Sequence, residues 1–192
     1  MVPGPSSNAV LAPAHREELL KLAARSIEAG LGGDRLRIRA GDFPPEMRAM
    51  RASFVTLSVG AQLRGCIGTL EARRALVEDV ALNAYSAAFE DPRFPPLEHT
   101  EFGGLDIHLS LLTIPESLSF GSEADLLAQI RPGIDGLVLQ EGARRGTFLP
   151  SVWEQLSDPT EFLRQLKRKA GLPVDYWSAT LRVSRYTAES IP

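Results

Sequence analysis

A hairpin pattern near residue 60 constrains the fold of this 192-residue chain more than any other feature. Residues 54–59 alternate between aromatic or hydroxyl side chains and Val or Leu, which is the two-residue period of a half-buried strand. Gly60-Ala61 follows as a turn, and residues 63–68 form the predicted return strand. A second pair of short strands is predicted at 136–140 and 147–149. Hairpins are antiparallel, so the pattern argues against a purely parallel doubly wound sheet.

The remaining periodicity completes an α+β fold with a mixed, largely antiparallel sheet and flanking helices. Apolar residues at helical spacing predict helices near 13–30, 75–90, 122–130 and 159–170, and period-2 patterns predict strands at 104–113 and 181–187. Residues 1–12 have no period and are expected to form a flexible N-terminus. We therefore expect a single domain over 13–188 and a tail over 189–192.

Composition excludes several classes of protein. The chain has one cysteine, so an intramolecular disulfide is impossible, and a reducing, cytoplasmic location fits best. No run of about 18 apolar residues predicts a membrane helix, and no signal-peptide pattern opens the sequence. The sequence contains neither a Cys-x-x-Cys nor a His-Glu-x-x-His motif, so no metal site is predicted. A net charge of −3 argues against nucleic acid as a partner without excluding it.

Cys66 is the candidate nucleophile. Arg64 lies two residues away on the same predicted strand face, where its positive charge could stabilise the thiolate. No base is adjacent in sequence, although His99 or His108 could approach in the fold. The alternative is that Cys66 is a small buried residue with a packing role, as free cysteines often are.

Glycine and arginine residues in the same region are candidate ligand-binding positions. Gly65 and Gly68 permit close approach by a ligand, or alternatively mark a bulge or twist of the sheet. Arg93 and Phe94 follow Asp91-Pro92 in a proline-rich loop. An arginine held there could clamp a carboxylate or a phosphate. The alternative is a structural Arg93 paired to an acidic side chain or helix end, with Phe94 filling the core.

Two charged regions are interpreted as solvent-exposed helix faces. The first is rich in carboxylates and consists of Glu71, Glu78, Asp79, Glu90 and Asp91. The second is basic and consists of Arg164, Lys167, Arg168 and Lys169. The basic region keeps RNA binding open as an alternative function.

Several motifs together resemble the AMMECR family, whose bacterial and archaeal members are often called AmmeMemoRadiSam system protein A. The first two are Leu-Arg-Gly-Cys-Ile-Gly-Thr at 63–69 and Asp-Pro-Arg-Phe-Pro-Pro-Leu at 91–97. The others are Arg-Arg-Gly-Thr-Phe-Leu-Pro at 144–150, Lys-Arg-Lys-Ala-Gly at 167–171 and the pair Arg185-Tyr186. The resemblance covers about residues 13–188.

The resemblance implies a larger and a smaller lobe, with a cleft near the 63–68 hairpin. It also implies association with a Memo-like protein and a radical SAM enzyme, but no established reaction and hence no defined cofactor. We therefore expect an accessory component that binds a small anionic ligand or a partner enzyme at this cleft. The alternatives are an enzyme with Cys66 as its nucleophile and an RNA-binding regulatory protein. The expected ligand-binding residues are Arg64, Gly65, Cys66, Gly68, Arg93, Phe94 and Thr147.

Overall fold

The computed structural model describes residues 10–192, which divide into two units. Unit 1 contains the chain up to Ile114 together with Glu189–Pro192, and unit 2 is Pro115–Ala188. The α-helices are α1 (Pro13–Leu31), α2 (Pro45–Arg48), α3 (Leu76–Phe89), α4 (His99–Phe102), α5 (Glu123–Gln129) and α6 (Pro159–Lys169). The strands are β1 (Ser53–Val59), β2 (Gln62–Gly68), β3 (Leu105–Leu112), β4 (Glu116–Ser117), β5 (Gly136–Glu141), β6 (Arg144–Phe148), β7 (Arg182–Tyr186) and β8 (Ala188–Ile191). Short 3₁₀ helices lie at Ala40–Asp42 and Pro150–Glu154.

Unit 1 is built on a four-stranded sheet in the order β2-β1-β3-β8. Strand β1 pairs antiparallel with both β2 and β3. Helices α1 and α3 pack against each other and against one face of this sheet. The alternating valine and leucine positions of β1 point into this core, where Val55 and Leu57 are fully buried. Alanines along α3 allow the helix to approach the sheet closely, and Ala84 and Ala87 are buried there.

The hairpin turn has the geometry that the sequence predicts for a two-residue loop. Gly60 and Ala61 have φ angles of 55° and 64°, in the left-handed region that two-residue hairpin turns of the mirror-image type require. Glycine reaches this region without strain, whereas a residue with a Cβ such as Ala61 rarely adopts it. The turn therefore joins β1 to β2 directly.

A β-bulge in the hairpin changes the face of the sheet on which Leu63 lies. Leu57 pairs with Gly65, but Ser58 pairs with Leu63, which leaves Arg64 as the extra residue in β2. Simple alternation would place Leu63 on the core face with Gly65 and Ile67. The bulge instead moves Leu63 to the opposite face, where it is 47% exposed.

Unit 2 has its own four-stranded sheet, in the order β4-β7-β5-β6, and its own apolar core. Helix α6 contacts β6, and Trp153 stacks on Phe162 with ring centroids 3.8 Å apart. Ser122 caps α5, because its side chain accepts the N–H of Asp125, as its position before the helix predicts. Asp158 caps α6 in the same manner.

The structure confirms the α+β class and the larger and smaller lobes. The strands form two sheets, one in each unit, where the sequence predicted a single one. The expected tail at 189–192 differs from the structure, because residues 189–191 continue β8. Of the expected flexible N-terminus, residues 1–9 lie outside the described residues, and Leu11 is buried. None of the helices in residues 10–192 has the length and apolar character needed to cross a bilayer.

Candidate functional site

Cys66 lies on β2, which is an edge strand of the unit 1 sheet. Its backbone groups on the open edge are bonded by a loop instead of another strand. The N–H of Cys66 donates to Asp91 Oδ2 at 2.9 Å, and its carbonyl accepts from Arg93 Nη2 at 3.1 Å. An unpaired edge invites pairing with another chain, so this loop also protects the sheet. The alternative role considered for Arg93, pairing with an acidic side chain, is therefore observed in the structure.

Asp91 and Arg93 form a tightly connected ion pair. Arg93 donates from Nε to Asp91 Oδ1 at 2.9 Å and from Nη2 to Oδ2 at 2.7 Å. The Arg93 guanidinium holds the pKa of the Asp91 carboxyl far below its usual range, and the N–H of Cys66 acts in the same direction against the effect of burial. The pKa of Arg93 is raised, chiefly by Asp91 and to a smaller extent by the nearby Cys66 side chain.

The Arg93 side chain remains 53% exposed although it is held in one orientation. Within residues 10–192 its side-chain hydrogen bonds use Nε and Nη2, so Nη1 is left to bind an acceptor. Asp91, by contrast, has a side chain only 2% exposed. The pair therefore presents a fixed donor group at the surface beside Cys66.

Arg64 is paired with a carboxylate. Its Nε and Nη2 donate to the two carboxylate oxygens of Glu101 at 2.6 and 3.0 Å, and Nη2 also donates to the Pro96 carbonyl. The Arg64 side chain is only 12% exposed, and its buried Nη1 makes no hydrogen bond within residues 10–192. Glu101 belongs to α4, a short helix whose N-terminus is stabilised by a reciprocal capping box between Glu98 and Glu101.

Phe94 lies between the two arginines. The guanidinium carbons of Arg93 and Arg64 are 5.4 and 5.9 Å from the centre of its ring, within the range of cation–π attraction. Phe94 is half-buried. The hairpin and the 91–97 loop thus bring Arg64, Cys66, Arg93 and Phe94 into one region, which we call the hairpin site.

A row of polar side chains crosses the unit 1 sheet at the level of Cys66. Thr56 pairs with Cys66 on one side and with His108 on the other, and Thr56 Oγ1 lies 3.3 Å from Cys66 Sγ. His108 Nε2 in turn lies 2.9 Å from Ser190 Oγ on β8. Two strand spacings separate Cys66 from His108, about 10 Å, so the imidazole is too far for a direct hydrogen bond to the thiol. His99 lies exposed on α4.

The two glycines of β2 allow close packing inside this chain. A Cβ on Gly65 would lie 2.1 Å from the Ala87 carbonyl oxygen, so helix α3 can approach only because this side chain is absent. A Cβ on Gly68 would lie 2.2 Å from the ring of Phe54. Both glycines therefore have a packing role, whatever they contribute to ligand binding.

Thr147 lies in unit 2, away from the other predicted ligand-binding residues along the chain. Its hydroxyl donates to the Leu137 carbonyl at 2.8 Å and lies 3.1 Å from Tyr186 Oη. Tyr186 Oη donates to the Phe148 carbonyl at 3.0 Å, and burial raises the pKa of Tyr186 to about 12. Thr147 and Tyr186 thus tie β5, β6 and β7 together.

The expected solvated carboxylate face is wrong for Asp79 as well as for Asp91. Asp79 is buried and accepts hydrogen bonds from the backbone and hydroxyl of Ser53, from Thr69 and from Asn83. Burial raises the pKa of Asp79, and the hydrogen bonds from Ser53 and Thr69 oppose that effect. This cluster joins the ends of β1 and β2 to α3, and its residue spacing along the chain is too long for a local motif to reveal it.

The basic face of α6 is smaller than the sequence indicates. Lys167 is fully buried, and its Nζ donates to Glu123 Oε2 at 2.8 Å. The other three basic side chains, Arg164, Arg168 and Lys169, are exposed. Within residues 10–192, no three His, Cys, Asp or Glu side chains come together as a metal-binding group.

Known proteins are similar to this chain over most of its length. The AMMECR1 family model matches residues 20–191. A protein from Methanothermobacter thermautotrophicus is 40% identical over 183 residues, covering 93% of this chain and 95% of that protein. A protein from Methanococcus aeolicus is 38% identical over 174 residues, covering 89% of this chain and 86% of that protein.

A solved structure is also similar over nearly the whole chain. The crystal structure of the uncharacterized protein PH0010 from Pyrococcus horikoshii superimposes with a TM-score of 0.85 at 36% sequence identity. The match covers 94% of this chain and 92% of that one. With the family model spanning most of its length, this chain belongs to the AMMECR1 family.

Proposed function

We propose that this protein is an accessory component that binds a small anionic ligand at the hairpin site and acts with a partner enzyme. The observation that carries the proposal is the state of Arg93. Its guanidinium is held by Asp91 and by the Cys66 carbonyl, yet the side chain remains 53% exposed with Nη1 available. A cation fixed in this manner binds a carboxylate or phosphate without first losing side-chain freedom.

The charges of the hairpin site determine how an anion would be bound there. Arg64 is neutralised by Glu101 and Arg93 by Asp91, so the site has no large net positive charge. An anion would be held by directed hydrogen bonds from Arg93, with Phe94 as an apolar neighbour. We therefore assign Arg93 the main binding role and Arg64 the role of positioning the 96–101 segment through Glu101 and the Pro96 carbonyl.

Native mass spectrometry of freshly purified protein tests the ligand. Arg93→Gln removes the guanidinium, and Arg73→Gln is the matched control, because Arg73 is exposed and pairs with Glu71 outside the site. We expect an anionic adduct on the wild type and on Arg73→Gln, lost from Arg93→Gln. A wild type without an adduct, or an adduct kept by Arg93→Gln, would contradict the assignment.

The partner is a Memo-like protein or a radical SAM enzyme in this proposal, and the support for it is the AMMECR family resemblance. Affinity purification of the tagged chain from its native host, followed by peptide sequencing, tests this part separately. We expect one of these two proteins to be enriched with the wild type. Its absence from the wild-type sample would remove the partner while leaving ligand binding to be judged by mass spectrometry.

Thiol chemistry at Cys66 is the second candidate. It is favoured by the half-exposed Cys66, with the Thr56 hydroxyl 3.3 Å from its sulfur and the Arg93 guanidinium nearby. Positive charge beside a thiol favours the nucleophilic thiolate. Alkylation by iodoacetamide, in which the thiolate displaces iodide, should then be faster in folded wild type than in Arg93→Gln. A folded-state rate no higher than that of the denatured chain would rule this candidate out.

A further inference from the structure

A cavity of about 300 Å³ lies in unit 1 between α1, α3 and the irregular segment 35–38. It is formed by other residues than the hairpin site. Its volume is at the lower end of the range for small-molecule sites. Leu82 and Ile38 contribute apolar walls.

Opposite charges with free hydrogen-bonding capacity lie at one end of this cavity. Arg74, two residues before α3 begins, and Glu78, in the first turn of α3, both line it. In the part of the chain that the structure describes, neither side chain forms a hydrogen bond. Arg74 Nε is 3.9 Å from Asp79 Oδ1, but the oxygens of Asp79 are already occupied by donors from Ser53, Thr69 and Asn83.

The other end of the cavity is aromatic. The Tyr85 ring lines it, and the Arg35 guanidinium lies 4.1 Å above the ring centre while pairing with Glu90. This pairing fixes Arg35 against the ring and leaves its charge largely compensated. Residues 78 and 85 are seven apart on one helix, so the charged and aromatic ends are about 10 Å apart.

We propose that this cavity binds a free α-amino acid with an apolar side chain. The ligand's carboxylate would pair with Arg74, its ammonium group with Glu78, and its side chain would lie along Leu82 towards Tyr85. A simple anion of the same size would meet the Glu78 carboxylate, and a simple cation would meet Arg74, whereas a zwitterion satisfies both. Leucine and phenylalanine have the size and polarity that the cavity requires.

Isothermal titration calorimetry with L-leucine and L-phenylalanine tests the proposal. Phenylpropanoate, which lacks the ammonium group, and phenylethylamine, which lacks the carboxylate, are the single-charge analogues. We expect both amino acids to bind, and each analogue to bind at least tenfold more weakly than phenylalanine. Absence of binding by phenylalanine at about 5 mM, above the ~1 mM constant of a weak complex, would overturn the proposal. Equal binding of either analogue would overturn it as well.

Variants locate the binding. Arg74→Gln and Glu78→Gln should each weaken binding at least tenfold, and Leu82→Trp should abolish it by filling the cavity without altering a charge. Arg37→Gln is the control, since Arg37 is exposed and does not line the cavity. Circular dichroism checks that every variant is folded. Binding unchanged in folded Arg74→Gln, Glu78→Gln and Leu82→Trp would overturn the location, and Arg93→Gln should leave this binding unaltered.

Discussion

Asp91 is the residue on which the hairpin site depends. Its carboxylate accepts the backbone N–H groups of Cys66 and Arg93 as well as the guanidinium of Arg93. It therefore holds the edge of β2 and, at the same time, the half-exposed side chain of Arg93. Its side chain is almost fully buried, so no water can replace these bonds without opening the loop.

Asp91→Asn should lower the free energy of unfolding at pH 7 by about 2–3 kcal/mol, because an amide cannot accept this set of charge-assisted bonds. In the wild type the pKa of Asp91 is lowered on folding. Its contribution to stability is therefore fully present above the ordinary carboxyl value of about 4 and is lost as the pH falls below it. Urea unfolding at pH 7 and at pH 3 measures both effects.

The variant should accordingly lose less stability than the wild type between these two pH values. Asp106→Asn is the control, since Asp106 is an exposed carboxylate on β3. A wild-type stability that is the same at pH 3 and pH 7, or an Asp91→Asn protein as stable as Asp106→Asn, would contradict the role given to Asp91.

The sequence predicted which segments form this site more reliably than it predicted the role of each side chain. The motifs at 63–69 and 91–97 indicated Cys66 and Arg93, and the structure brings them together. The partner of Arg64 was missed, because Glu101 lies on a single-turn helix too short to produce a helical period. Thr56 was missed for another reason: its contact with Cys66 depends on strand register, which a single strand does not reveal.

At the level of elements, the approach of α3 to β2 determines how the hairpin is held. Gly65 lies directly beneath the backbone of Ala87, with no space for a methyl group. The bulge at Arg64 brings Gly65 into register with Leu57 on the core face. The hairpin and helix α3 can therefore pack this closely only because Gly65 has no side chain.

Gly65→Ala should destabilise the protein by about 3 kcal/mol, since the contact is with backbone and neither element can shift without disturbing the core. Thermal unfolding followed by circular dichroism measures the loss. Gly41→Ala is a matched control, because a Cβ at Gly41 would have no neighbour within 4 Å and its backbone needs no left-handed angle. If both variants were equally stable, the contact between β2 and α3 would not prevent a larger side chain at position 65.

Strand β8 is an element that the sequence missed because its stability comes from a distant partner. Strand β8 is only four residues long, and it is held in the unit 1 sheet beside β3, about 80 residues earlier in the chain. Its local pattern is too short to distinguish a strand from a tail. Helices such as α1 and α6 were predicted correctly because their periodicity is long and their ends carry proline, capping residues or glycine.

At the level of the whole molecule, the last strand, β8, belongs to unit 1, which also contains the first helix, α1. Glu189 on β8 accepts from Leu11 just before α1, and its carboxylate pairs with Arg16 at 3.0 Å and with Arg51 at 3.2 Å. Arg51 is buried, and burial lowers its pKa while Glu189 raises it. The Glu189 carboxylate on β8 thus connects Leu11 and Arg16, near the start of α1, with Arg51, just before β1.

Glu189→Gln should therefore destabilise unit 1 by about 2–3 kcal/mol, because it removes the negative charge that faces a buried guanidinium. Each unit has its own core, so we expect the loss to be local. Hydrogen exchange resolved by mass spectrometry should show faster exchange in β1 and β3 and unchanged protection in β5 and β7. Glu154→Gln, at an exposed position in unit 2, should change neither set. Equal loss of protection in both sheets would instead mean that the two units open as one cooperative structure, and unchanged protection in β1 would mean that Glu189 does not stabilise unit 1.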